Sequence, residues 1–288
     1  LDRVRAACRE EGRGEYAEAA ALVFSSTMDV SRALQHRVLG AGRPLREALE
    51  GAARALLPAD KARVVCQGCA GAYSDEAAGR MFPLTRETGH RPLFVPTWAD
   101  VLEEVRTGRA DYGVLPVENS STGSVGEVYD LIMAGGVTIA AAVELPISHC
   151  LLGLPGARLA DIREVCSHPQ GLSQCEEAIA AHGWKTLPYG NTAMAAQMVA
   201  QAGNPSLAAI ASRKAGDIYG LEVLSDSIQS VDKNCTRFIA ITSRLTLPPD
   251  ADKISLIFSL PHTTGSLYRA LARFALAGLN LTKIESRP

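Results

Sequence analysis

Aromatic residues are scarce in this chain, 5% of 288, and charge of one sign is nearly absent: 29 Lys+Arg stand against 31 Asp+Glu, a net −2. A near-neutral surface poor in aromatics lacks the electrostatic footprint and the stacking platforms of nucleic-acid binding. No apolar run reaches the roughly 18 residues that span a bilayer. The charged start Leu1-Asp2-Arg3-Val4-Arg5 leads into no signal-peptide core. A cytoplasmic protein is therefore the expectation. The seven cysteines are odd in number and scattered, which fits reduced thiols better than a disulfide framework. Cys66 and Cys69 form a C-x-x-C without the second ligand pair or the helix start that zinc or redox chemistry needs. The six histidines show no ligand spacing, so no metal is expected, and neither G-x-x-x-x-G-K-[ST] nor G-x-S-x-G occurs.

What is present is 47% hydrophobic residues, enough to build a substantial core in about two domains. Residues 1–39 are rich in Ala, Arg, Glu and Leu and read as two helices, 1–11 and 15–38, separated by Gly12 and Gly14. A further helical stretch, 45–57, lies between Pro44 and Pro58. At Arg63 short β-branched runs begin to alternate with Ala-rich amphipathic segments, the mark of an α/β domain with a mostly parallel sheet. Strands are expected at 63–66, 91–95, 112–117, 137–143, 150–153, 164–167, 208–211 and 237–242. Helices are expected at 74–82, 98–107, 124–133, 172–182, 193–202 and 213–219. After the linker Leu247-Pro248-Pro249-Asp250 come a strand at 253–260, a helix at 266–277 and a strand opening at 281. A β-α-β start of this kind is half of a small sandwich. The first residue is not Met and the last four are Glu285-Ser286-Arg287-Pro288, so the expectation is a chain whose ends cut through two neighbouring units.

Several strand ends are followed by a small polar or glycine-rich turn and then a helix. Such turns aim N–H groups and hydroxyls at the carboxyl ends of the strands, where α/β folds bind ligands. In Gly68-Cys69-Ala70-Gly71-Ala72-Tyr73-Ser74 two glycines permit close backbone approach and Ser74 is placed to cap a helix. Glu118-Asn119-Ser120-Ser121-Thr122 is a run of five hydrogen-bonding side chains leaving a buried strand, with Ser124 as a possible cap. Ser167-His168-Pro169-Gln170 has the form of a capping box, and Gln174 sits one helical turn beyond Gln170 on the same face. Asn191-Thr192 caps the helix from Ala193. Arg237, in Asn234-Cys235-Thr236-Arg237-Phe238, offers a fork that suits a carboxylate or a surface salt bridge equally. Hydroxyls, amides and one Arg, with few bases, suit a small anion and a reaction that needs positioning and one proton.

These blocks, with Leu115-Pro116-Val117, Ala208-Ala209-Ile210-Ala211, Tyr219-Gly220-Leu221 and the closing Glu285-Ser286-Arg287-Pro288, resemble prephenate dehydratase from Arg63 onward. Cys69 stands where that family usually has Pro. The resemblance implies a two-lobed catalytic domain like a type 2 periplasmic-binding protein at 62–244. A linker, 245–252, and a partial ACT regulatory domain of ferredoxin-like α+β fold, 253–288, would follow. Residues 1–39, joined through a linker at 40–61, resemble the last part of an AroQ-type chorismate mutase, with Ser31 and Gln35 at the spacing of two substrate contacts.

By the same resemblance Thr236 would protonate the departing ring hydroxyl, with Arg237 beside it. Ser74, Glu118, Asn119, Ser120, Ser167, Gln174 and Thr192 would surround prephenate. Gly265, Ser266, Leu267, Glu285, Ser286 and Arg287 would bind L-phenylalanine as an allosteric inhibitor. No cofactor is implied, and a homodimer or homotetramer is. Arogenate dehydratase is the rival of like chemistry; a two-lobed, non-enzymatic small-anion-binding module is the rival of another class.

Overall fold

A computed structural model describes residues 1–38, 42–57, 61–83, 91–230 and 234–286. The chain divides into two compact units, Leu1–Glu50 with Leu256–Pro288, and Gly51–Ser255. In the first, α1 (Asp2–Glu10) lies along α2 (Ala17–Val38). Arg5 Nε reaches Glu18 Oε1 at 2.9 Å, and Ala17 and Ala21 are buried. The third helix, α3 (Arg43–Glu50), stops at Gly51, short of the expected residue 57.

The second unit holds two sheets. The first comprises β1 (Val64–Gln67), β2 (Leu93–Val95), β3 (Tyr112–Asn119), β4 (Gly123–Ser124) and β5 (Thr138–Pro146). Its helices are α4 (Tyr73–Met81), α5 (Trp98–Arg106) and α6 (Gly126–Met133). The second comprises β6 (Cys150–Gly153), β7 (Glu164–Ser167), β8 (Lys185–Pro188), β9 (Leu207–Ala211) and β10 (Glu222–Ser225). Around it lie α7 (Pro169–Gln174), α8 (Glu176–His182), α9 (Thr192–Ala202) and α10 (Arg213–Tyr219). The chain then returns as β11 (Cys235–Thr242), which enters the first sheet between β3 and β5.

The orders are β2-β1-β3-β11-β5, with β4 on β3, and β10-β6-β9-β7-β8. Both sheets are mixed, which corrects the expectation of a mostly parallel one. The reason in each sheet is a strand that arrives from the other: β11 runs antiparallel to β3 and β5, and β6 runs antiparallel to β10 and β9. Each sheet buries apolar side chains on both faces. Val64 and Cys66 pack with Ala77 and Phe82 of and beside α4, whereas Val65 packs with Val101 and Val105 of α5, the period-two alternation of a strand covered on both sides. In the second sheet Cys166 and Ala209 pack with α9, and Val165 and Ile210 with Leu172 and Ile179.

Two links join the sheets, residues 147–149 and, among the described residues of the return, 226–230 with Asn234, and they are bonded to each other: Ile147 N–H donates to Asn234 O at 2.8 Å and Ile228 N–H to His149 O at 2.9 Å. The sheets also meet at the turn after β1. There Ser212 Oγ donates to Gly71 O at 3.0 Å and the Tyr219 hydroxyl to Ala70 O at 2.8 Å. Gly71 has φ +84°, and a Cβ there would lie 2.9 Å from Ala215 Cα. Both the backbone conformation and the contact require glycine.

The last helix, α11 (Ser266–Leu276), belongs to the first unit and lies against α2. The strands expected at 253–260 and from 281 are corrected: both segments are irregular and exposed. A strand is defined by its pairing, and among the described residues no partner strand lies beside them.

Gly71→Ala should destabilise the second unit by roughly 1–3 kcal/mol, read as a lower urea midpoint; an unchanged midpoint would show that the turn and α10 are not in contact in solution.

Candidate active site

At the end of β3, Asn119 folds its side chain back on the chain that follows. Its Oδ1 accepts from the backbone N–H groups of Ser121, 3.0 Å, and Thr122, 3.2 Å, and from the Ser121 hydroxyl, 2.5 Å. Backbone N–H groups can only donate, so the orientation of this amide is settled. Its Nδ2 therefore faces the other way, donating to Asn234 Oδ1 at 2.7 Å and to Thr236 Oγ1 at 2.8 Å. The Thr236 oxygen is thus engaged as an acceptor, and its proton has no acceptor among the described residues. Asn119, Thr236 and Asn234 are all buried. Antiparallel pairing brings them together across more than a hundred residues of sequence: Thr236 lies opposite Asn119 in the β11–β3 register. Ser120 clips the same strand, its N–H donating to Cys235 O at 2.8 Å and its Oγ accepting from Cys235 N–H at 2.9 Å.

The second sheet contributes α7. Gln174 Nε2 donates to Ser121 Oγ at 3.0 Å, and Gln170 Nε2 to Thr122 Oγ1 at 3.2 Å. Gln174 Oε1 lies 2.8 Å from His149 Nε2, and His149 Nδ1 lies 3.1 Å from the Tyr73 hydroxyl, which also donates to Ser148 O at 2.7 Å. His149 is 2% exposed. Burial lowers its pKa, opposed by the bond to Gln174, so the ring is neutral and carries one proton. Gln174 Oε1 needs a donor, which assigns that proton to Nε2 and leaves Nδ1 as an acceptor that competes with Ser148 O for the one Tyr73 proton. Donation then runs in one direction, His149 to Gln174 to Ser121 to Asn119, and ends on Thr236 Oγ1.

The remaining expected residues lie elsewhere. Cross-strand partners share a face and neighbours along a strand do not. Arg237, opposite both Glu118 and Glu144, is therefore on the face away from Thr236, and its Nη2 reaches Glu144 at 2.9 Å. Ser74 is corrected as a cap: α4 begins at Tyr73, and Ser74 Oγ donates to Gln67 O at 2.6 Å. Ser167 is corrected likewise. His168 is the cap of α7, accepting from Gln170 N–H through Nδ1, while Ser167 Oγ donates to Ile210 O at 2.6 Å. Ser124 lies in β4 and the cap position of α6 is Val125. Asn191 does cap α9, accepting from Ala193 and Met194 N–H, with Thr192 in the first turn. A Cβ on Gly171 would lie 3.5 Å from Thr192 and 2.8 Å from Ser167 Oγ, so these two sit together where α7 and α9 begin.

In the other unit Gly265 caps α11 with φ +80°, Ser266 Oγ bonds Thr263 Oγ1 at 2.7 Å, and Leu267 is exposed. Glu285 pairs with Lys283, Ser286 is exposed, and Arg287 lies outside the described residues. Ser31 and Gln35 are exposed on α2.

Three site members escaped the sequence reading. Ser121 and Asn234 stood inside runs already singled out; His149 had only its place between two crossing strands, which a sequence does not display. The Cys66 thiol is pushed up to about 12 by burial, with Asp75 adding to it, so it holds no thiolate at neutral pH. Among the described residues no His, Cys, Asp and Glu cluster could hold a metal.

Two mixed sheets, joined by two crossings and meeting over a set of neutral donors, define an α/β protein of the periplasmic-binding-protein-like class. Residues 64–246 match the family described as "Prephenate dehydratase", and the chain belongs to that family of lyases. It is similar to arogenate dehydratase/prephenate dehydratase 1, chloroplastic, of Arabidopsis thaliana, 42% identical over 231 residues that cover 79% of this chain and 57% of the relative. The chain thus spans somewhat over half the length of that relative. Among solved structures it is similar to the prephenate dehydratase from Arthrobacter aurescens in complex with L-Phe. The two are 28% identical with a TM-score of 0.65, over 78% of this chain and 76% of that one. It is also similar to GqqA, described as a quorum quenching acylase, 31% identical with a TM-score of 0.63 over 78% and 81%.

The expectation of a cytoplasmic protein is overturned by the chloroplastic names of the Arabidopsis relatives. It rested on the lack of an apolar signal core, whereas plastid-directed leaders are Arg- and Ser-rich rather than apolar.

Unfolding restores the His149 pKa to its ordinary 6.5, so the stability that its neutral burial contributes is present above pH 6.5 and is lost as the pH falls through the depressed folded value. His168, also lowered by burial, adds in the same direction. The urea midpoint should fall between pH 8 and pH 5, and His149→Gln should fall less over that interval; an equal fall would remove His149 as a cause.

Proposed function

We propose that residues 64–246 convert prephenate to phenylpyruvate, carbon dioxide and water. The carrying observation is the Thr236 hydroxyl, held by Asn119 through its oxygen with its proton uncommitted. In this reaction the bond from the ring to its carboxylate breaks, its electron pair enters the ring, and the ring C–O bond breaks with the oxygen keeping its pair. One proton completes the water. The substrate is primed to aromatise, so the protein needs to hold it and help the oxygen leave. Thr236 is the donor to that oxygen, and because a neutral hydroxyl is a poor acid its proton moves only as the C–O bond opens, to be replaced from water. Asn119, Ser120 and Gln174 fix this donor. The first turn of α9, with Thr192, and the start of α7 beside Ser167 supply N–H groups and a hydroxyl for the substrate's carboxylates. Arg237 would reach a carboxylate only by leaving Glu144.

Arogenate carries an amine where prephenate has the keto group, and the relatives' names join both substrates. The other unit we read as regulatory and, at its amino end, mutase-derived. Support comes from Gly265-Ser266-Leu267 with Glu285-Ser286, from Ser31 and Gln35 one helical turn apart on α2, and from the L-Phe in the Arthrobacter aurescens structure. Assembly as a homodimer or homotetramer belongs to the same reading.

Thr236→Ala should lower kcat about 10²–10³-fold without moving the melting temperature; wild-type turnover would sink the mechanism. Turnover of prephenate and arogenate measured side by side assigns the substrate, and phenylpyruvate formed faster than phenylalanine is the expected result. Calorimetry of the chain with phenylalanine should show binding, and its absence would remove the regulatory reading.

A further inference from the structure

The orientation of Asn119 has a second product. Its Nδ2 spends one proton on Asn234 Oδ1, and that fixes the Asn234 amide too: the oxygen faces Asn119 and the nitrogen faces away. Asn234 is 5% exposed, and its Nδ2 is a buried donor with no partner among the described residues. Asn234 Oδ1 and Thr236 Oγ1 bond the same nitrogen, at 2.7 and 2.8 Å, so the two side chains stand next to each other. Both present donor protons without an acceptor among the described residues. A buried donor left unbonded costs free energy in the folded state, and two such donors on neighbouring side chains are suited to an acceptor that carries negative charge.

Resting on the lyase reading above, we propose that the Asn234 side-chain amide is a second hydrogen-bond donor to the oxygen that leaves the substrate, beside Thr236. Charge grows on that oxygen as the C–O bond stretches, and two prearranged donors stabilise it more than one. The roles divide by chemistry. A hydroxyl can pass a proton on; a carboxamide only donates a hydrogen bond and stays intact. Asn234 also lies in the second crossing segment, where its own carbonyl accepts from Ile147 N–H, so its side chain is anchored at both ends of the residue and needs no rearrangement to serve.

Asn234→Asp isolates the donor. It keeps an oxygen for the Asn119 N–H and removes the N–H groups, and protonation of its carboxyl at low pH restores one donor. Wild type, Asn234→Asp and Asn234→Ala would be assayed on prephenate from pH 5 to 8.5, with melting curves at each pH. The expected result is a fall in kcat of about 10²-fold for both variants at pH 8. KM should change little, and Asn234→Asp alone, measured relative to wild type, should recover as the pH is lowered. Turnover of both variants within about threefold of wild type at every pH would mean that the amide faces only trapped water, and would overturn the proposal. Loss in both variants with no recovery by Asn234→Asp would make Asn234 a prop for Asn119 and overturn it equally. Wild type without turnover of prephenate or arogenate would instead overturn the lyase reading on which this one stands.

Discussion

One amide decides the electrostatics of the seam between the two sheets. Asn119 Oδ1 is pinned by two backbone N–H groups, which cannot reverse their role, so everything bonded to its nitrogen is assigned by consequence. Without that pin the Asn119, Asn234 and Thr236 group could swap donors for acceptors at little cost, and the hydroxyl proton would turn inward. With it the group presents donors only. A leaving oxygen wants such a surface, and a metal ion, which needs acceptors, does not.

The supporting chemistry is drawn from both sheets. Ser121 and Asn119 come from the first, Gln174 from the second, and His149 and Asn234 from the two segments that pass between them. Side chains on the crossings are positioned by the relation of the sheets as much as by their own strands. The local donor order and the closed arrangement of the second unit therefore depend on each other, as expected where polar networks are satisfied only when complete.

How far the sequence discloses this differs by element. The runs 150–153 and 164–167 are short, apolar and buried, and coincide with β6 and β7. The strand β8 was missed because all four of its residues are exposed and it ends in Pro188, leaving neither alternation nor an apolar run to read. Caps misled at Ser74 and Ser167, because each hydroxyl found a strand carbonyl instead; a capping pattern records local opportunity and not the tertiary competitor. Asn119, Ser120, Gln174 and Thr236 were legible as polar residues at strand and helix ends. That His149 completes the series was not, since its partners come from α4 and α7 and only the return of the chain brings them to it.

The strand β11 shows how little separates two different proteins here. Thr236 and Arg237 are adjacent, yet one serves the seam and the other the opposite face of the sheet with Glu144. Against β3 the register shifts between Arg237 and Phe238, while against β5 it runs unbroken from Cys235 to Ala240. The fit of Phe238, Ile239, Ala240 and Ile241 into cores on both faces therefore sets which residue meets the seam. A slip of one residue would exchange a neutral hydroxyl for a guanidinium, turning a seam of neutral donors into one with a fixed positive charge.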